Sequence, residues 1–183
     1  SSGQAWCWGD NGDGQVGDGT FDQRLTPVAV TGLTGVTDID AADGTTCAVA
    51  GSEGRCWGGG DDLQRGDGST SPTNTPVAVA TLTGAREITV GDVHACAALT
   101  DGSASCWGDS DEGETGNGVD PFSLVPVGVL DLTDASRIAA GRDHACAVRT
   151  GGATSCWGDN GQGQLGTGDT DDRSRPAAVT GLT

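Results

Sequence analysis

The chain has 183 residues and a formal net charge of −17, from nine Arg and 26 Asp or Glu residues. This charge would repel a phosphate backbone and argues against nucleic acid as a direct partner, and no apolar run approaches the roughly 18 residues of a membrane span. With 33 Gly, five Trp, two Phe and neither Tyr nor Met, the core must come from small and branched apolar residues and Trp, which suits small packed sheets.

One phrase occurs four times along the chain. It reads "AWCWGDNGDGQVGDG" from Ala5, "GRCWGGGDDLQRGDG" from Gly54, "ASCWGDSDEGETGNG" from Ala104 and "TSCWGDNGQGQLGTG" from Thr154. A spacing of about 50 residues is typical of propellers and solenoids. We expect a single repeat domain over residues 1–183, with a partial repeat at 1–33 and full repeats at 34–83, 84–133 and 134–183.

Four short strands are predicted in each unit. Taken from the third copy, they are "VPVGV" (125–129), "SRIAA" (136–140), "HACAV" (144–148) and "TSCWG" (154–158), each bounded by Gly, Asp, Asn or Pro. No segment has a sustained helical period, so the pattern predicts an all-β fold of four-stranded β-propeller-type blades, with about three and two thirds repeats forming an incomplete propeller or arc.

The strand order also gives two finer expectations. One proline of each unit stands at an equivalent position, and we expect it at the first position of each first strand, where a missing N–H is tolerated: Pro27, Pro76, Pro126 and Pro176. The chain would then start in a fourth strand and end after a first strand, so both edge blades would be incomplete and completed by further sequence or another subunit. Linkers of constant length but variable sequence follow each Trp motif, as surface loops do.

Cysteines are the most informative chemistry. Three pairs flank the turn signals "GS", "TDG" and "TGG", which places each pair on facing strands of one hairpin. We expect one disulfide per blade: Cys47–Cys56, Cys96–Cys106 and Cys146–Cys156. Cys7 is expected to be unpaired or joined to a residue outside this segment. The competing metal interpretation needs clustered ligands such as C-x-x-C, which the sequence lacks.

The motifs "CWGDNGQGQLGTG" and "AAGRDHACAV" resemble the regulator of chromosome condensation repeat family, in a bacterial-type form with disulfides. The resemblance covers the whole chain, but "WGGGDDLQRGDG" and "WGDSDEGETGNG" depart from the family pattern in their turns. It implies a propeller that serves as a rigid platform for binding proteins. The eukaryotic namesake acts on a small GTPase and on chromatin, and the cystines and acidity fit those roles poorly.

Other motifs are interpreted structurally. His94 and His144, with Thr45 at the equivalent position, are expected to be polar strand-end residues that bond to the backbone rather than metal ligands. The "RGD" at 65–67 coincides with the repeat's own glycine. The turns "DNGDG" (10–14) and "DSDEG" (109–113) leave Ca²⁺ open as a weak alternative, although neither has a full binding-loop spacing. No other cofactor is expected.

Two functions are weighed. The first is a non-catalytic extracellular module that binds a protein partner through its variable loops, since no nucleophile, phosphate-binding or metalloprotease motif occurs. The alternative is a structural subunit of a cell-surface or extracellular ring or fibre that self-associates through open blade edges. The disulfide pattern indicates an oxidising compartment, hence a secreted or cell-surface protein.

Overall fold

The computed structural model describes residues 3–119 and 122–182, and these residues form β-strands joined by turns and loops. The strands are β1 (Trp6–Gly9), β2 (Arg24–Ala29), β3 (Val36–Ala42), β4 (Thr45–Ala50), β5 (Glu53–Gly58), β6 (Thr73–Ala78), β7 (Ala85–Val90), β8 (His94–Leu99), β9 (Ala104–Asp109), β10 (Phe122–Gly128), β11 (Ala135–Ala140), β12 (His144–Arg149), β13 (Thr154–Gly158) and β14 (Arg173–Ala178). None of the described residues forms a helix that is long and apolar enough to span a membrane.

The strands form four antiparallel sheets, which we call blades. Blade 1 is β1-β2, blade 2 is β3-β4-β5-β6, blade 3 is β7-β8-β9-β10 and blade 4 is β11-β12-β13-β14. Neighbouring blades meet through their first strands, because β3 packs against β7 and β7 against β11. These first strands form the inner side of an open arc, and β6, β10 and β14 form its outer side. The predicted all-β, propeller-type arc is confirmed.

Two sequence expectations about strand order are wrong. The segment 125–129 was expected to open a unit, but it lies mostly in β10, the outermost strand of blade 3. Likewise β14 completes the last sheet, so blade 4 has four strands and is not an incomplete edge blade. A strand sequence predicts an extended segment but does not say which neighbour it joins.

The four prolines that were expected to open first strands lie instead inside the outer strands β2, β6, β10 and β14. Pro27 and Pro76 are each the fourth residue of their strands, β2 and β6. Proline is tolerated there because an outermost strand has one side without a neighbouring strand, where no N–H is needed for pairing. The physical argument for proline was right, but the strand it applied to was the last of the blade.

The hydrophobic core lies at the junctions between blades rather than in one centre. Trp57, Trp107 and Trp157 are completely buried, one at each junction. Each Trp packs with Ala, Val, Leu and Ile side chains of the preceding and following blades, as at the junction of Val79, Leu82, Ile88 and Trp107. The low aromatic content therefore suffices, since one indole fills each junction.

Each complete blade carries one disulfide between its second and third strands. The bonds join Cys47 to Cys56, Cys96 to Cys106 and Cys146 to Cys156, and the Cα atoms of each pair lie 4.1, 4.0 and 4.0 Å apart. In every case the two cysteines are directly opposite in the strand register. Cys7 in β1 is a half-buried free thiol.

Side chains on the inner strands join successive blades, in what we call the inter-blade ladder. Asp38 Oδ2 on β3 accepts a hydrogen bond from the Ile88 N–H of β7 (2.7 Å), and Asp40 Oδ2 accepts one from the Val90 N–H (3.0 Å). One blade further, Glu87 Oε2 accepts from the N–H of Ile138 (3.1 Å). Thr89 Oγ1 accepts from the N–H of Ala140 (3.0 Å). These contacts satisfy N–H groups on the side of β7 and of β11 that no strand of the same blade covers.

Candidate functional site

The long loops of all four blades lie at one end of the arc, which we call the loop face. Because the strands alternate in direction, this face collects the connections β1–β2, β5–β6, β9–β10 and β13–β14 and the short turns β3–β4, β7–β8 and β11–β12. Most of the 26 acidic residues occur in these connections. The described parts of these connections contain two arginines, Arg65 and Arg142. Arg24 and Arg173 are the first residues of β2 and β14, which lead away from this face. The charge of the chain is therefore concentrated on one side.

A buried asparagine fixes the loop in blades 1 and 4. Asn11 is fully buried, and its side-chain amide donates to the backbone oxygens of Thr20 and Asp22, both at 3.0 Å. Its Oδ1 accepts from the N–H of Val16 (2.9 Å). Asn160 makes the matching contacts in blade 4, including one from Leu165 N–H at 3.0 Å. One side chain thus ties both ends of the loop together.

The second copy lacks this asparagine and uses an arginine instead. Arg65, at the position of Val16, is fully buried, and its Nη2 donates to both carboxylate oxygens of Asp67 at 3.1 Å and to the Ser69 carbonyl at 3.0 Å. Gly60 stands at the position of Asn11, and a Cβ there would overlap Arg65 Nη1. The "RGD" arginine is therefore a structural residue with no exposed surface to offer a receptor.

In the third copy, two buried hydroxyl groups hold the loop in place of the asparagine. The Ser110 and Thr115 hydroxyl oxygens lie 2.8 Å apart, and the Thr115 N–H donates to Ser110 Oγ at 3.0 Å. Both residues are buried. The two divergent turns therefore keep an internally bonded loop, although their sequences depart from the family pattern.

The loops of blades 1, 2 and 3 are also held by the next blade. The indole N–H of Trp57 donates to the Gln15 carbonyl at 2.9 Å. The indoles of Trp107 and Trp157 donate to the carbonyls of Gln64 and Glu114, both at 2.8 Å. The ring lies against a loop glycine, and a Cβ on Gly66 would be 2.6 Å from Trp107 Nε1. These three loops are therefore rigid, because each is both internally bonded and packed against a core residue, and the loop of blade 4 is internally bonded through Asn160.

Carboxyl groups from neighbouring loops meet on this face and perturb one another. Burial raises the pKa of Glu114 to about 7, in a side chain that is 2% exposed. A hydrogen bond with Asp172 of the next blade raises the pKa of Glu112. Burial and the nearby charges of Asp109, Asp61 and Asp43 raise the pKa of Asp62. Burial is thus the main cause at Glu114 and Asp62, and neighbouring carboxylates contribute at Glu112 and Asp62.

Two concave areas lie between the loops. One, between blades 3 and 4, is lined by Asp111, Glu112, Val119, Asp172 and Ser174, among others. The other, between blades 1 and 2, is lined largely by Asp10, Asp13, Asp43, Asp61 and Asp62. The sequence identified the Asp-rich turns, but it did not predict that the turns of adjacent blades lie close together. The signal for this convergence was the recurrence of acidic residues five positions after Trp8, Trp57 and Trp107, at Asp13, Asp62 and Glu112.

The residues singled out as possible metal ligands form no such site. Among residues 3–119 and 122–182, no group of three or more His, Cys, Asp or Glu side chains has the geometry to hold a metal ion. Thr45 Oγ1 donates to the Gly59 carbonyl at 3.1 Å, as expected for a polar strand end. For His94 that expectation is wrong, because this fully buried ring packs over Gly91 and neither of its nitrogens has a hydrogen-bond partner within the described residues.

Known structures share this fold. Human WBSCR16 superposes with a TM-score of 0.86 at 24% identity, over 98% of this chain and 49% of that one. The Prp20p protein of Saccharomyces cerevisiae superposes with a TM-score of 0.80 at 22% identity, over 97% and 46%. Yeast RCC1 (Prp20) bound to Kap60 gives 0.78 at 22% identity, over 97% and 45%. The chain spans about half the length of each of these proteins.

Sequence comparison gives the family. No curated protein matches the chain. However, residues 2–49 and 155–183 match the model of the "Regulator of chromosome condensation (RCC1) repeat", and residues 85–114 and 135–164 match a second model with the same description. These segments together cover more than half of the chain and contain the Trp motif of three of its four copies. With its repeated blades, the chain belongs to the RCC1 repeat family.

Proposed function

We propose that this chain is a non-catalytic, extracellular protein-binding module whose loop face binds a basic protein surface. The observation that carries the proposal is the concentration of carboxylates on loops that are fixed by buried side chains. A rigid surface of one charge sign favours partners of the opposite sign and increases their association rate. After the hydrogen bond with Asp172 at Glu112 and burial at Asp62, neighbouring carboxylates add to the raised pKa values of both groups, and a basic partner would relieve that repulsion.

Relatives and disulfides support the two other parts of the proposal. Structures with this fold include yeast RCC1 (Prp20) bound to Kap60, and Prp20p described with its binding properties to Gsp1p and histones. Protein binding is therefore an activity for which the fold is suited. Three disulfides in one chain favour an oxidising compartment, which is the basis for the proposed extracellular location.

The test compares two variants with the same change in net charge. One carries Asp61→Asn, Asp62→Asn and Asp172→Asn on the loop face. The other carries Glu53→Gln, Asp101→Asn and Asp134→Asn at or near the opposite end of the blades. The probes are an Arg- and Lys-rich peptide and a peptide of the same length with Asp and Glu at the basic positions. Binding is measured by surface plasmon resonance at two salt concentrations.

We expect the unmodified chain to bind the basic peptide only, and more weakly at high salt. The loop-face variant should lose about tenfold in affinity, from roughly 0.5 kcal/mol for each lost charge, and the control variant less than about twofold. Equal losses in the two variants would show a response to net charge alone and would refute a binding surface at the loops. Failure of the basic peptide to bind at low salt would refute it as well.

A further inference from the structure

Strand β1 is paired on one edge only. Cys7 and Gly9 pair with Val28 and Arg24 of β2, in the same frame as Cys56 and Gly58 pair with β6. The equivalent strands β5, β9 and β13 pair on both edges. Within the part of the chain that the structure describes, no strand joins the second edge of β1. That edge therefore presents unpaired backbone groups of the kind that accept an added strand.

The side chains beside this edge are apolar and exposed. Trp8 stands at the position of Trp57, Trp107 and Trp157, which are completely buried, yet Trp8 is 62% exposed and Trp6 is 55% exposed. Together with Cys7, Val16, Ile39, Ala41 and Thr46 they line a groove between β1 and β3. An exposed pair of indoles in such a groove is typical of a surface that binds another polypeptide segment.

The other blades show what covers it. In each complete blade a hairpin of the first and second strands lies on the inner side of the Trp-bearing strand. Its second strand places a cysteine across from the cysteine and a small residue across from the tryptophan, as in Cys96 opposite Cys106 and Ala95 opposite Trp107. Its first strand reaches the next blade through the inter-blade ladder. The groove beside β1 offers Cys7, Trp8 and Ile39 in the positions that these contacts use.

We propose that the free edge of β1 binds an antiparallel β-hairpin of the RCC1 type that carries a cysteine opposite Cys7, and that the two cysteines form a disulfide. The first strand of the hairpin would lie against β3, where an acidic residue accepts from the Ile39 N–H as Asp38 accepts from Ile88. The occupant is thus a hairpin of defined chemistry: an acidic residue on its first strand, and a small residue followed by cysteine on its second.

The chain itself supplies a probe with these features, residues 85–99. This hairpin carries Glu87 on its first strand and Ala95 and Cys96 on its second. In the test, Cys96 of the synthetic peptide is supplied as a mixed disulfide with glutathione. The Cys7 thiolate attacks the Cys96 sulfur, the bond to glutathione breaks, and glutathione leaves as the thiolate, so no further oxidant is needed. Burial raises the pKa of Cys7, so the reaction is run at about pH 8.5, where more thiolate forms.

The adduct is followed by intact mass spectrometry of the full chain under non-reducing conditions. We expect adduct formation about tenfold faster with the 85–99 peptide than with a scrambled peptide of the same composition and the same activated cysteine, because strand pairing raises the local concentration of the disulfide. The Cys7→Ser chain should form no adduct. A peptide variant with Glu87→Ala should react more slowly than the parent peptide.

A second readout is independent of the thiol. A 85–99 peptide with Cys96→Ser should slow hydrogen exchange in residues 5–9 of the chain, and Trp8→Ala should abolish this protection. Equal adduct rates for the parent and scrambled peptides, or unchanged exchange in residues 5–9, would overturn the proposal. Preferential formation of Cys7–Cys7 dimers in the presence of the peptide would also overturn it, because the occupant would then be a second copy.

Discussion

At the scale of single residues, Glu114 and His94 are buried titratable groups whose environments favour their neutral forms. Burial raises the pKa of Glu114 to about 7, and burial together with the charge of nearby His144 lowers the pKa of His94 to about 4. Their ordinary values are 4.5 and 6.5. Both groups change the stability of the fold over the same mildly acidic range of pH, but in opposite directions.

Replacement of Glu114 by Gln should stabilise the chain above neutral pH. The folded pKa is raised, so the folded state gains stability relative to the unfolded state as pH falls from about 7 to 4.5 and loses it as pH rises. Glutamine keeps an acceptor for the Glu112 N–H and carries no charge. Urea denaturation at pH 8 should show Glu114→Gln to be more stable than the parent by up to about 3 kcal/mol, with no gain at pH 4.5. The same difference at both pH values would contradict this.

Replacement of His94 by Thr, the residue at the equivalent position of blade 2, should remove an acid sensitivity. Because the folded pKa is lowered, the unfolded state takes up the proton first, and stability falls as pH drops from about 6.5 to 4. The loss should reach about 3 kcal/mol in the parent and be absent in His94→Thr. The measurement is the pH dependence of the unfolding free energy between pH 4 and 7, in the Glu114→Gln background so that the opposing group is silent. An unchanged slope in His94→Thr would count against the argument.

At the scale of elements, the equivalent loops of the four blades are held by three different sets of buried side chains. Asn11 and Asn160 bridge their loops directly, Arg65 fills the same space from the opposite position over Gly60, and Ser110 with Thr115 does so by paired hydroxyls. The two positions must therefore be exchanged together. A change at one of them leaves either a clash or a buried group without its partner.

A double-mutant cycle at Gly60 and Arg65 tests this dependence. Gly60→Asn alone should destabilise the chain by about 2–3 kcal/mol, because the new Cβ would overlap the Arg65 guanidinium. Gly60→Asn with Arg65→Val recreates the blade 1 pair and should recover most of that loss, which gives a coupling energy of about 2 kcal/mol. Guanidinium denaturation of the four chains supplies the cycle. Additive effects would show that the two positions are independent.

The sequence patterns predicted where the strands lie better than they predicted which strands pair with each other. Alternating residues bounded by Gly and Pro indicated the strands, and the family and the propeller-type fold are confirmed. The assignment of β10 failed because the pattern of Val125 to Val129 is the same for an inner and an outer strand. The Arg65 solution could not be predicted, since it depends on the space left by Gly60. The loop face could not be predicted in full either, because its acidic residues lie about 50 residues apart and meet only in the folded arc.

At the scale of the whole molecule, stability depends on the junctions between blades. Each blade buries little on its own, and each of the three large buried indoles lies where two blades meet. This arrangement is that of a repeat protein, whose stability is the sum of unit and interface contributions. When one junction is weakened, the parts of the chain on its two sides should therefore unfold less cooperatively.

Trp107 lies at the junction of blades 2 and 3 and is the clearest test. Trp107→Phe removes the hydrogen bond to the Gln64 carbonyl and leaves a cavity, and we expect a loss of about 2–3 kcal/mol and a broader or two-step thermal transition. The matched control is Trp6→Phe, which changes an exposed indole and should cost less than about 0.5 kcal/mol. Calorimetry of both variants separates the outcomes. A single sharp transition for Trp107→Phe at the parent's cooperativity would contradict junction-limited unfolding.

The inter-blade ladder gives the arc a direction. In the ladder, side chains of β3 accept from backbone N–H groups of β7, and side chains of β7 accept from those of β11. The Arg86 guanidinium of β7 adds bonds in the other sense, because it donates to the Ala135 and Ser136 carbonyls of β11. Blade 3 takes part on both sides, whereas blades 2 and 4 each use the ladder once. The blades can then fold one after another, because a folded inner strand presents the acceptors to which the inner strand of the next blade binds. Synthesis from the amino terminus would deliver the blades in the same order.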